Sequence, residues 1–93
     1  MSETNIIVEK IYKFSENNKF IEAEEYIDNT FDFLAIIGKY SIIDSVLYNL
    51  NLNMVSIKIV KDILYKISHL NDKLIMIKDF ESRAINQFGK GRF

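Results

Sequence analysis

Apolar positions recur at helical rather than strand spacing along most of this chain. The strongest run covers 56–88. Val60, Ile63, Leu64 and Ile67 fall on one side of a helix entered near Ser56, with Ile57 and Ile59 close to its start. Residues 68–71 turn the chain. Leu74, Ile77, Phe80, Ala84 and Phe88 then form the stripe of a last helix, for which Asn71 is a suitable cap and Asp72 a favourable first-turn charge. The two helices read as a hairpin on which the rest of the chain packs.

Upstream, Ile7, Ile11 and Phe14 mark a first helix, with Val8 and Tyr12 widening its apolar stripe. Ser2 or Thr4 caps it and the polar run Glu16, Asn17, Asn18 ends it. A second helix starts near Lys19 and carries Phe20, Ala23, Ile27, Phe31 and Leu34 on one side. Asp28, Asn29 and Thr30 offer a recapping point that would split it, and Gly38 ends it. Ser41 opens a third helix with Asp44 as an imperfect capping-box partner, and Ile43, Val46, Leu47 and Leu50 are its apolar face.

Residues 50–54 and 56–59 alternate apolar and polar, which in isolation is a strand signal. No second strand pattern exists to pair with it, and a lone strand is marginal in water. The preferred reading is an extended linker over Asn51 to Met54. The predicted fold is therefore all-α: a compact bundle of four to five short antiparallel helices in a single domain, 1–93, ending in a helical hairpin, with contacts between sequence neighbours dominant. No residue-level internal repeat is found.

Composition narrows the function more than the fold. A chain of 93 residues makes one domain, burying about 60–65% of its unfolded surface. Hydrophobic content of 48% argues against disorder, and 12 basic against 13 acidic residues give no electrostatic reason for nucleic acid as the main partner. The absence of cysteine excludes disulfides and thiolate zinc sites. The N-terminal residues lack the pattern of a signal peptide, and the longest apolar run, 33–38, falls far short of the roughly 20 residues of a membrane span. A cytoplasmic location is the expectation, with no membrane association.

Over 55–88 the chain resembles a group of small helical proteins, many encoded by large tailed phages. The similarity lies in apolar residues at Val55, Val60 and Leu64, in Asp72-Lys73-Leu74 after the turn, and in Ile77 followed three residues later by Phe80. It departs at Tyr65, where the group usually has a basic residue, and at Ile77, where Trp is frequent. The resemblance covers about a third of the chain. It implies the helical hairpin and a phage origin, and no activity.

No catalytic, cofactor or metal motif is present, so no enzyme and no cofactor is expected. His69, the only histidine, has Ser68 beside it but no recognised partner spacing; a turn residue is the plainer reading. Glu22, Glu24, Glu25, Asp28 and Asp32 line neighbouring faces of the second helix, fitting a solvated face, an acidic docking surface or, less readily, a divalent cation. A di-metal bundle would need Glu-x-x-His units, which the chain lacks. Lys58, Lys61, Lys66, Lys73, Lys78 and Arg83 are dispersed and interleaved with acids, unlike a recognition helix.

The apolar excess is the best clue. Residues 74–77, 33–37 and 6–8 are apolar on every side of a helical turn, more than a small bundle can face inward. The expected function is non-enzymatic protein–protein interaction, with another protein or with itself as a homo-oligomer. The expected partner-binding residues are Phe33, Ile36, Tyr65, Ile75 and Met76, with Glu25 and Asp32 orienting the partner. The alternative is a nucleic-acid-associated regulator using the fourth and fifth helices.

Overall fold

The helical spacing is realised as five α-helices: Glu3–Glu16 (α1), Phe20–Ile36 (α2), Tyr40–Asn49 (α3), Ile57–Ser68 (α4) and Ile77–Phe88 (α5). Short 3-10 turns occupy Leu52–Met54 and Asn71–Lys73. The computed structural model describes residues 2–89 and 91, the side chain of Asn71 excepted. No strand occurs among the described residues. Met1, Lys90, Arg92 and Phe93 lie outside them.

The first two turns are built alike. Asn18 (φ 55°) and Gly38 (φ 75°) take the left-handed conformation that closes a helix. The next N–H returns to the helix in each case, Lys19 to the Phe14 carbonyl at 2.9 Å and Lys39 to the Leu34 carbonyl at 2.8 Å. Each turn is followed by a Lys and an aromatic residue that begins the next helix, Phe20 and Tyr40. A repeated turn thus exists that a search for repeated helices does not reveal.

Helices two apart in sequence run side by side in the same direction. Glu3 pairs with Lys39 at 3.6 Å, and the Tyr12 hydroxyl accepts the Asn51 N–H at 2.8 Å, which fixes α3 along α1. Lys58 lies over the Phe20 ring while Lys66 pairs with Asp28 and Asp32, which fixes α4 along α2. Asp44 binds the start of α5 and Arg83 the end of α3, which fixes α5 along α3. The result is two layers, α1–α3–α5 and α2–α4, running in opposite senses. Helical repeat proteins stack in the same way.

The most extensive contacts are accordingly α2 with α4 and α1 with α3. The expectation that sequence neighbours dominate is corrected: each tight turn brings neighbours together, but the broad apolar faces meet the helix after next. Ile11, Ile27, Phe31, Ile43, Leu47, Leu50, Ile59, Ile63, Ile67 and Phe80 fill the space between layers and are essentially inaccessible. Each such side chain contributes about 1.5–3 kcal/mol by leaving water. No buried polar or charged residue occurs among the described residues.

Several boundaries differ from the sequence reading. Asp28, Asn29 and Thr30 do not split α2, because Asp28 is turned to Lys66 of α4 and the helix continues to Ile36. Ser41 does not cap α3, which begins at Tyr40 without a side-chain cap. Asn71 does not start α5, which begins six residues later at Ile77. The alternating stretch 50–59 holds a 3-10 turn and then α4, capped by Ser56. Its backbone is satisfied from α1, through Tyr12 to Asn51 and through the Ser15 hydroxyl to the Ser56 N–H at 2.8 Å, so it needs no strand partner.

Candidate functional site

The apolar surplus reaches the surface. Ile6, Ile21, Phe33, Ile36, Ile37, Tyr48, Met54, Tyr65, Ile75 and Ile85 are all exposed. The topology sorts Ile36, Ile75 and Phe33 among them into two places, with Tyr65 apart on α4.

The first place is one end of the stack. Because α2 and α4 run the same way, as do α3 and α5, the α2–α3 and α4–α5 connections lie at the same end. Ile36 (82% exposed) stands on the last turn of α2, and Ile75 (85%) on the connection into α5. Both sit on held backbone. Ile36 precedes the closed turn at Gly38. The Asp44 carboxylate of α3 accepts the N–H groups of Ile75 at 3.1 Å and Met76 at 3.0 Å. These are the free donors ahead of α5, which has no cap of its own. That bond draws Met76 half inward, whereas Ile75 points to solvent.

The second place is the face of α1 and α2 turned away from α3 and α4. Phe33 (60% exposed) and Ile6 (49%) lie here, around the half-buried pair Phe14 and Tyr26, whose ring centroids are 5.6 Å apart. Glu25 borders the same face: it lines a recess of about 300 Å³ with Lys10, Phe14 and Tyr26. Burial pushes the Tyr26 hydroxyl above its ordinary pKa, an effect partly offset by its hydrogen bond with Thr30.

Asp32 is not free in the sense the sequence suggested. It reaches Lys66 at 2.5 Å, and Asp28 reaches the same ammonium at 2.7 Å. Burial pulls the Lys66 pKa down, but the two carboxylates outweigh it and leave the group raised. Nearby, burial and then the Glu24 charge raise the carboxyl of Asp62. The acidic face is thus partly an inter-helix clamp. No group of three or more acidic or histidine side chains suited to a metal ion occurs among the described residues.

Tyr65 is exposed and packs against His69, ring centroids 4.8 Å apart and the planes tilted by 59°. His69 Nδ1 lies 2.8 Å from the Tyr65 carbonyl oxygen, so it carries a proton and donates. The Ser68 hydroxyl donates to the same carbonyl at 2.6 Å. A Ser–His nucleophile needs the ring nitrogen to accept from the hydroxyl. Here both groups donate to one carbonyl of the last turn of α4, and Ser68 Oγ lies 3.3 Å from His69 Nδ1.

Sequence reasoning missed the polar residues that hold the site: Asp44, Arg83 and Lys66. Arg83 binds the Leu50 carbonyl at 3.0 Å and the Leu47 carbonyl, and also Asp79 at 3.0 Å. It satisfies the end of α3 just as Asp44 satisfies the start of α5. No helix among the described residues is long and apolar enough to cross a membrane. Comparison with protein-family models, with curated proteins and with solved structures finds no match for this chain.

Proposed function

We propose that this protein is a non-enzymatic interaction module that binds another polypeptide through the end carrying Ile36 and Ile75. The observation that carries this reading is Ile75: the most exposed large hydrophobic side chain among the described residues sits on backbone fixed by Asp44. An apolar anchor on a fixed support loses little freedom on binding, so more of its burial appears as affinity. Tyr65 adds amphipathic area. Where the phage resemblance applies, the partner is a host or virion protein.

The nucleic-acid reading draws less support. Lys58 lies over the Phe20 ring, Lys66 is held by two aspartates and Arg83 by backbone carbonyls of α3. Three of the cations that would meet phosphate are engaged within the fold.

The test is capture from a native lysate by the immobilised full chain, compared with the Ile36→Asp, Ile75→Asp double variant. Two anchors at about 2 kcal/mol each correspond to roughly a thousandfold in affinity. A discrete protein held by the parent chain and released by the variant is the expected result. Equal retention on both overturns the reading.

A further inference from the structure

The α1–α2 hairpin has neighbours on one side only. Its other face carries Ile6, Phe33 and Ile37 around the Phe14–Tyr26 pair, over which Lys10 Nζ sits at 5.9 Å and 5.1 Å from the ring centroids. An open recess of about 870 Å³ runs along the α1 side, lined by Ile6, Lys10, Lys13, Phe14 and Lys19, with Glu9 at its rim. A patch of clustered isoleucine and aromatic side chains is the kind of surface that folded chains cover with another chain.

Charge on this face is divided by helix. On α1 Lys10 and Lys13 outweigh Glu9, and Glu22 and Glu25 stand on α2. The Lys13 ammonium and the Glu22 and Glu25 carboxylates make no ion pair or hydrogen bond among the described residues. Pairing α2 with α2 of another molecule would set like charges together. Pairing α1 with α2 sets lysines against glutamates, and with a two-fold axis along the helices it does so twice. In that arrangement α1 meets the other copy's α2 antiparallel, the same sense in which it meets its own. Lys10 over Tyr26 marks the level within the hairpin: Lys13 then falls by Glu22 and Glu25, and Ile6 near the turn of Phe33.

We infer that the α1–α2 face binds a second copy of this chain, forming a four-helix bundle with Phe14, Tyr26, Phe33 and Ile6 at its centre and Lys–Glu pairs along both seams. A self-complementary patch of this kind is what a closed two-fold dimer requires. The patch is centred on Phe14 and Tyr26, and the variants that test it leave Ile36 and Ile75 in place, so loss of the dimer leaves capture through Ile75 intact.

Sedimentation equilibrium of the full chain tests the inference. The expected mass is twice the 10.9 kDa of one chain. Lys10→Glu with Lys13→Glu, and separately Glu22→Lys with Glu25→Lys, each give a monomer with unchanged helical circular dichroism. Mixing the two variants restores the dimer, because one seam is native and the other is charge-swapped. If a charge variant fails to fold, Phe33→Asp, at an exposed position, replaces it and also gives a monomer. A parent chain monomeric up to about 1 mM, a range in which only negligible affinity escapes detection, overturns the inference. So does a dimer that survives the charge and Phe33 variants, or a mixture of folded variants that stays monomeric.

Discussion

Asp44, on the second turn of α3, accepts the Met76 N–H at 3.0 Å and so performs the N-terminal capping that α5 lacks locally. The two residues are 32 apart, and the bond joins the start of one helix to the body of another. Replacing Asp44 with Ala leaves two N–H groups with only water to satisfy them. A loss of about 1–2 kcal/mol in urea-monitored unfolding is expected, the range of a lost cap. Amide exchange at Ile75 and Met76 accelerates before that at Phe80. Unchanged exchange at those two amides would show that Asp44 does not fix this connection.

Lys66 gives the stability curve an alkaline edge. Burial alone lowers its pKa, but Asp28 and Asp32 raise it above the ordinary 10.5. A group held more tightly protonated in the fold contributes fully below its unfolded pKa and loses that contribution as pH rises through the raised value. Lys66→Met is therefore expected to cost about 1 kcal/mol at neutral pH, near the upper range for partly exposed pairs. The gap between parent and variant closes above the ordinary lysine pKa. Unfolding free energies of both proteins, measured from neutral to strongly alkaline pH, check this.

Asp62 pulls the other way. Burial first and Glu24 second disfavour its charged form, raising its carboxyl above 3.8. For this acid the sign reverses: the fold prefers the protonated group, and stability is lost as pH rises from the unfolded pKa through the folded one. Asp62→Asn is expected to be more stable at neutral pH by up to about 0.5 kcal/mol, a gain of a few degrees in Tm. The advantage disappears well below the ordinary aspartate pKa. A variant that melts lower at neutral pH contradicts the account.

The two matching turns respond oppositely to substitution. Gly38 has φ 75° and open space where a Cβ would lie, so Gly38→Ala brings only the backbone penalty of the left-handed region, about 1 kcal/mol. Asn18 already tolerates φ 55°, and Asn18→Gly relieves a few tenths of a kcal/mol at most. Chemical denaturation of both variants tests the pair.

The helices were legible because each needs only its own apolar period. Ile7 and Ile11, Ala23 to Leu34, Ile43 to Leu50, and Val60, Ile63 and Ile67 all read inward from sequence and lie in the core, with Leu64 packed at its edge. The exposed isoleucines were legible as surplus, since residues 33–37 and 74–77 leave no polar side to a helical turn. Leu74 to Ile77 proved not to be a helical turn, because Asp44 takes two of its amides. Asp44 read as a local capping partner for Ser41 because local pairs are all that spacing reveals. Its actual partners, those of Lys66 and the carbonyls that Arg83 binds lie more than thirty residues away; only the Arg83–Asp79 pair is local. The stacking of alternate helices was hidden for the same reason: periodicity shows which face is apolar, not which helix covers it.

Alternate stacking also sets the order in which the chain can mature. As it leaves the ribosome, α1 and α2 emerge as a hairpin whose broad faces have nothing to rest on. The stretch around Asn51 and Ser56 must appear before Tyr12 and Ser15 find their amides, and Lys66 before Asp28 and Asp32 are neutralised. Contacts separated by this much chain form late and slow the whole transition. The broad apolar faces therefore stay open until the last third of the chain is made, and a stall or cleavage before Arg83 leaves the carbonyls that end α3 without that partner.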